Sequence, residues 1–268
     1  VNILKNRLDI VLTERGLFPS REKAKASIMA GIVYVDGRKV DKAGTSVKED
    51  AEIYIKEDLC PYVSRGGLKL EKALAAFDFN LQNALCADIG ASTGGFTDCM
   101  LQKGARKVFA IDVGYGQLDW KLRNDERVVN MEKTNIRYLD TEQIDPALDF
   151  ISIDVSFISL KLVFPVAAKM LGESGSIVCL AKPQFEAGRE QVGKKGIVRD
   201  KKVHREVIEK VIAYGEQQSL YPSGLTYSPV TGAKGNIEYL LHLKKQPGEG
   251  ISAEDIEGVV CSSHEELE

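Results

Sequence analysis

Four charged residues, Lys69, Asp154, Lys182 and Glu238, are spread over most of the chain, yet each falls at the edge or end of an element that would line one crevice. Asp154 closes the apolar run 148–153, and a carboxylate at the C-terminal end of a central parallel strand points to where open α/β sheets bind ligands. Lys182 follows six mostly apolar residues, 176–181, where an ammonium group is costly to bury unless it is paired. Glu238 opens the last strand-like run, and Lys69 lies at the edge of a helical apolar stripe. Singly, each has an ordinary reading as a surface ion pair or a snorkelling lysine. Together, two ammonium groups and two carboxylates could orient a reacting group and manage its proton.

A second cluster is Asp88-Ile-Gly-Ala-Ser-Thr-Gly-Gly-Phe-Thr97. Asp88, Gly90, Ser92, Thr93, Gly94, Gly95 and Phe96 stand where a buried strand turns into a helix, and glycines there let the backbone come close to a bound group. A dinucleotide fingerprint needs Gly-x-Gly-x-x-Gly. This loop reads Gly90-x-x-x-Gly94-Gly95 with Ser92 in the second slot, which disfavours NAD. Asp112 ends the next strand 24 residues after Asp88, near the spacing of a carboxylate that grips ribose hydroxyls.

The elements that would position these groups alternate strand and helix from residue 84 onward. Strand-like runs at 85–90, 107–112, 127–130, 148–154 and 176–181 predict an α/β fold with a doubly wound, mostly parallel sheet. A helix over 68–77 carries the stripe Leu70, Ala73, Leu74 and Phe77; Asp200 can cap a long helix with Val203, Val207, Ile208 and Val211 inside. The expected division is a small domain over 1–58, a linker over 59–67 marked by Pro61 and Gly66-Gly67, the sheet domain over 68–245, and an acidic tail over 246–268, helix-tipped or mobile.

Residues 5–56 read as two helices followed by strands. Leu8, Val11 and Leu12 recur at helical spacing, Ser20 can cap a second helix ending before Gly31, and Asp36-Gly37 is a strong type I′ hairpin signal. Arg7, Arg21, Lys23, Lys25, Arg38 and Lys39 make this unit basic, with Arg65 just beyond it.

On these residues the glycine loop resembles motif I of Rossmann-like S-adenosylmethionine (SAM) methyltransferases. The front unit resembles the α-L RNA-binding domain of a small-subunit ribosomal protein and several rRNA-modifying enzymes. Lys69, Asp154, Lys182 and Glu238 resemble the Lys-Asp-Lys-Glu tetrad of FtsJ-like ribose 2′-O-methyltransferases. With Ser64-Arg-Gly-Gly-Leu-Lys69, Ile153-Asp-Val-Ser-Phe-Ile158 and Gly235-Asn-Ile-Glu238 also in order, the chain resembles the TlyA family, also called hemolysin A, over about residues 5–244.

That resemblance implies SAM held by the glycine loop, Asp112 and Asp154, with the tetrad as the catalytic set. It implies ribosomal RNA in ribosomal subunits as partner, met by the basic residues through phosphate contacts. Cytidine 2′-hydroxyls are the expected targets, turned out of their helix to reach the site. Lys182 is the candidate for activating the hydroxyl. A lysine of ordinary pKa, about 10.4, is protonated at neutral pH. Burial and the like charge of Lys69 would have to lower it, while Asp154 and Glu238 pull the other way. General base and orienting group both stay open.

Two other readings compete: an RNA-binding protein that keeps the fold as a scaffold, and a membrane-lytic protein. Amine methylation is disfavoured because Asp154-Val-Ser-Phe157 lacks the Pro-Pro pair, and carbon methylation because Cys179 lies within a strand. No apolar run approaches the roughly 20 residues of a membrane span, and no signal-type run opens the chain. Five cysteines without a Cys-x-x-Cys pair and three scattered histidines argue for reduced thiols, no metal site and a cytoplasmic setting. The net charge of −3 hides ten Lys/Arg against five Asp/Glu over residues 1–48, which points to an anionic partner. Reversing the charges of Arg21 and Lys25 is expected to cause a salt-sensitive loss of RNA affinity; unchanged binding across a salt titration would remove the phosphate-contact reading.

Overall fold

The computed structural model describes residues 5–18, 20–29, 31–48, 50–56, 60–144 and 147–267. The chain divides into two units, Val1–Leu59 and Cys60–Glu268. The start of the expected linker, residues 57–59, lies outside the described residues.

The first unit is small and built around one apolar cluster. Helices α1 (Leu8–Glu14) and α2 (Arg21–Met29) follow the short strand β1 (Lys5–Arg7), and strands β2 (Val33–Val35), β3 (Arg38–Lys39), β4 (Ser46–Lys48) and β5 (Ile53–Ile55) follow them. Leu8, Val11, Leu12, Ala24, Ile28, Val33 and Val47 fill its core. Asp36 and Gly37 both take positive φ, 49° and 74°, which is the two-residue turn that matches strand twist between β2 and β3. The pairing of β1 with β4 was not expected from periodicity, since both strands are three residues long.

This unit also holds a buried carboxylate. Asp9 has no solvent exposure and accepts from Arg7 Nε at 2.9 Å and from Arg21 Nη2 at 2.9 Å. Arg7 and Arg21 are therefore spoken for in part, although each guanidinium stays about half exposed and keeps further donors for an outside partner. Lys23, Arg38 and Lys39 are exposed and Lys25 half-buried. Reversing Arg21 would set a second carboxylate against Asp9, so Lys23, Lys25 and Arg38 are the cleaner positions for charge reversal.

In the second unit the sheet is centred on strands buried along nearly their whole length, such as that over Leu85–Ile89. Its strands are β6 (Leu85–Ile89), β7 (Lys107–Ile111), β8 (Val128–Met131), β9 (Leu148–Ile153), β10 (Leu171–Ala181), β11 (Tyr221–Tyr227) and β12 (Tyr239–Lys244). They lie in the order β11-β12-β10-β9-β6-β7-β8, with β6 to β10 parallel and β12 antiparallel to both its neighbours. The helices α3 (Gly66–Ala76), α4 (Gly95–Gln102), α5 (Trp120–Arg123), α6 (Phe164–Met170), α7 (Pro183–Glu186), α8 (Lys201–Glu216) and α9 (Ala253–Leu267) complete it. This is the mostly parallel α/β fold expected. The chain runs outward from β6 through β7 to β8, then returns to the other side of β6 as β9 and runs outward to β10, so the strand order reverses between β6 and β9, and the crevice at their C-terminal ends is where such sheets bind ligands.

Two expectations need correction and a third is sharpened. Gly66 and Gly67, placed in the linker, form the first turn of α3; a Cβ on Gly95 would meet Gly67 N at 2.8 Å, so the glycines let α3 and α4 approach closely. Strand β11 was missed because Pro222 and Gly224 interrupt its pattern, and the pairing shifts register between them. The acidic tail, expected to be helix-tipped or mobile, takes the first form and more, since most of it is α9, a 15-residue helix with a buried face. Ser252 and Asp255 cap its start reciprocally, and Ile256, Val260, Ser263 and His264 form a buried stripe. The acids lie on its outer face, which hid the stripe from a reading by composition.

Hydrogen bonds from Arg7, opposed by burial and joined by Arg21, hold the Asp9 carboxyl at about 2, below its ordinary 3.8. A carboxyl with a depressed folded pKa stabilises above its unfolded pKa and loses that contribution as pH falls through the folded value. The small unit should therefore lose stability between about pH 4 and pH 2. Asp9→Ala should cost about 1–3 kcal/mol at neutral pH and flatten that acid limb; chemical denaturation across pH checks both.

Candidate active site

The crevice at the end of β6 is built by backbone as much as by side chains. Asp154, one residue past β9, donates its N–H to Ile89 O at 2.9 Å, and a Cβ on Gly90 would stand 2.5 Å from Asp154 O. Gly90 thus lets two strand ends close on one another. Gly94 caps α4 with φ of 93°, and any side chain there would strike Leu118 and Leu122. The loop glycines shape the crevice rather than merely bare it.

Asp88 does the same work from below. It is 1% exposed; Oδ2 accepts from Thr97 N at 2.9 Å and Thr97 Oγ1 at 2.7 Å, and Oδ1 from Ser152 Oγ at 3.1 Å. Burial pushes its carboxyl up to about 7, against those hydrogen bonds. Asp88, expected as a ligand contact, lines the charged cavity and also ties β6, α4 and β9 together under the loop.

Above that floor the four distant charges meet. Lys69 Nζ, carried on α3, lies 2.6 Å from Glu238 Oε2 and 3.6 Å from Asp154 Oδ2. Lys182 Nζ, just past β10, lies 2.5 Å from Asp154 Oδ1 and 3.3 Å from Ser156 Oγ. Asp154 therefore stands between the two ammonium groups, and the like charge of Lys69 acts on Lys182 past an intervening carboxylate. Burial alone would lower the Lys69 pKa, but Asp154 and Glu238 outweigh it and the net direction is up. Burial alone would raise the Asp154 carboxyl, yet Lys69 and Lys182 carry it below the ordinary carboxylate range. The snorkelling reading of Lys69 fails, since only 12% of its side chain is exposed.

Two adjoining cavities share Gly90, Ser92, Asp154 and Ser156. One, of about 290 Å³, is walled by the four charged residues together with Ser64, Gly66, Thr93, Gly95 and Phe96. The other, of about 490 Å³, is apolar where Ile111, Ile136 and Ile158 face it and polar at Asp112. Asp112 is held rigidly, accepting from Ser92 N at 2.8 Å and Gly114 N at 2.6 Å. Each of its oxygens keeps a lone pair for a ribose hydroxyl. An apolar slot ending in a fixed carboxylate and continuous with a polar charged end fits the chemistry of SAM, whose nucleoside Asp112 and the apolar lining would hold. Arg65, the last basic residue singled out, is exposed beside Ser64 and Gly66 of the charged cavity.

Several groups at the crevice escaped the sequence reading. Gln184 Nε2 donates to Glu238 Oε1 at 3.1 Å, and a Cβ on Gly232 would overlap the same carboxylate. Phe157 is 91% exposed and takes φ of 62°, a strained conformation for a bulky side chain, with its ring 5.0 Å from Phe185. Its exposure is an aromatic face open to stacking. Cys179 is buried within β10, where burial pushes its thiol up, so it is no thiolate nucleophile.

The switch-point crevice, its SAM-shaped trough and the paired charges at one end define a SAM-dependent methyltransferase. The chain belongs to the FtsJ-like methyltransferase family, whose model matches residues 62–245, and an S4 domain model matches residues 6–53. A Bacillus subtilis (strain 168) protein, YqxC, is 51% identical over 268 residues, covering 98% of this chain and 95% of that protein. The 16S/23S rRNA (cytidine-2′-O)-methyltransferase TlyA of Mycobacterium tuberculosis (strain ATCC 25618 / H37Rv) is 42% identical over 255 residues, 95% of either chain. A solved structure from Streptococcus thermophilus is 47% identical with a TM-score of 0.79, covering 98% of this chain and 97% of that one. Among the described residues no helix is long and apolar enough to cross a membrane.

Replacing Asp154 by Asn should leave two ammonium groups without the charge between them. Removing one partner from a buried ion pair costs about 3–5 kcal/mol. The deficit should shrink as pH falls below the ordinary carboxylate range, because Asp154 is itself neutralised there. Urea denaturation of Asp154→Asn within 1 kcal/mol of the parent at pH 7, on the order of one lost surface pair, would overturn this account of the site.

Proposed function

We propose that the chain methylates ribose 2′-hydroxyls of ribosomal RNA, with cytidine as the target nucleoside. The observation that carries this is Asp154 held between Lys69 and Lys182, with Glu238 on the far side of Lys69. A ribose hydroxyl is a weak nucleophile, and its oxygen must be placed in line while negative charge grows on it. SAM, when bound, supplies an electrophilic methyl group. Lys182, steered by Asp154 and Ser156, holds the 2′-oxygen and stabilises that charge as the hydroxyl proton passes to water. Lys69 and Glu238 keep Asp154 in place. The 2.5 Å contact with Asp154 and the 3.3 Å contact with Ser156 fix Lys182 Nζ in place, which favours the orienting role over that of a general base.

The S4 domain and its basic residues support an RNA substrate, with Arg7, Arg21, Lys23, Lys25, Arg38, Lys39 and Arg65 meeting phosphates. The name of the Mycobacterium tuberculosis relative supports ribosomal RNA and the cytidine 2′-oxygen. Ribosomal subunits as partners support a cytoplasmic setting.

The test is to incubate ribosomal subunits from cells lacking this protein with methyl-labelled SAM and map 2′-O-methyl sites. The parent should label a cytidine. Lys182→Ala should lose at least about a hundredfold in rate while SAM affinity stays within about twofold. Lost SAM affinity with normal turnover would take the role from Lys182, and subunit binding by the parent without any label would leave a non-catalytic RNA-binding protein.

A further inference from the structure

Among the described residues one buried side-chain oxygen or nitrogen has no hydrogen-bond partner, Oε1 of Gln184. Its position makes it more than a packing defect. Gln184 sits in α7, two residues after Lys182, and its Nε2 donates to Glu238 Oε1. A carboxylate only accepts, so the contact settles which end of the amide faces Glu238 and turns the carbonyl oxygen the other way. Holding Glu238 requires only the Nε2 half of this side chain. An unpaired buried acceptor is costly, and removing it would relieve that cost.

The short helix that carries Gln184 is itself anchored. Glu186 accepts from Ser159 Oγ at 2.7 Å and Leu160 N at 2.7 Å, which ties α7 to the segment after β9. Gln184 lines the cavity of the four charged residues and also an outer groove with Phe157, Phe185 and Arg189. The side chain that bears the unpaired oxygen thus lies between the outer groove and the charged cavity.

We propose that Gln184 binds the target nucleotide: Oε1 accepts a hydrogen bond from one of its donors, the ribose 2′-hydroxyl or the exocyclic amino group of the base, while Nε2 keeps Glu238 on Lys69. The proposal rests on the ribose-methylation reading above. It gives the site a demand for a donor, because a nucleotide without one leaves the oxygen buried and unpaired.

Gln184→Met keeps the shape and removes both polar ends. With ribosomal subunits from cells lacking the protein, this variant should lose tenfold or more in kcat/KM for the subunits, on the order expected for one buried hydrogen bond. Its SAM affinity and Tm should match the parent. A merely structural glutamine would lower Tm and SAM affinity along with activity, and that result overturns the proposal, as does parent-like methylation by the variant. A second measurement needs no variant to fold. An RNA fragment carrying the mapped nucleotide is prepared with cytidine, 2′-deoxycytidine or 2-pyrimidinone riboside, which lacks the amino group. The parent should bind one analogue about tenfold more weakly, whereas Gln184→Met should bind all three alike. Weakening by the deoxy analogue assigns the donor to the ribose, weakening by the pyrimidinone assigns it to the base, and equal binding of all three by the parent overturns the proposal. Should the parent transfer no methyl group to subunits, the ribose-methylation reading fails first and this proposal with it.

Discussion

The carboxylate of Asp154, set between two ammonium groups, is the constraint around which the sheet unit is arranged. Neither lysine could be buried where it is without that charge, and Asp154 could not be buried without them. Everything nearby serves to keep the three in register. Gly90 lets the strand ends close, Asp88 locks the loop to β6 and β9, and Glu238 absorbs the remaining donor capacity of Lys69. The result is a site whose charges balance in pairs and whose polar groups are fixed before a ligand arrives, as electrostatic catalysis requires.

Division of labour along the crevice follows from the same arrangement. At the end where Asp112 stands, the lining is apolar at Ile111, Ile136 and Ile158 and polar at Asp112, Gln117, Thr134 and Asn135, which suits a nucleoside. At the tetrad end they are ionic, which suits a reacting oxygen. The two cavities meet at Gly90, Ser92, Asp154 and Ser156, and of these four only Asp154 brings a charge to both ends.

The parts of this legible in the sequence were those that obey one local rule. An acid or lysine directly after a buried strand must face a crevice, which is why Asp154, Lys182 and Asp112 were readable, and Asp36-Gly37 left no other turn. What escaped depended on partners distant in the chain. Asp9 looks like any helix residue until Arg7 and Arg21 close on it. Gln184 has no meaning without Glu238, and although Asp88 was readable as part of the loop, its bonds to Thr97 and Ser152 were not. Strand β11 and the extent of helix α9 escaped for another reason: Pro222 and Gly224 in one, and a run of surface acids in the other, masked burial patterns that tertiary contact sustains.

The order of the strands has a bearing on how the protein comes off the ribosome that makes it. Strand β12 is the last to be synthesised, yet it lies between β10 and β11, and β11 reaches the rest of the sheet only through it. Until that final strand arrives, β10 presents an open edge. Lys69, made some 170 residues earlier on the order of a domain's length, has no Glu238 to bind. The nascent chain thus carries its S4 unit long before it carries the completed set of paired charges, and the same insertion that closes the sheet completes them.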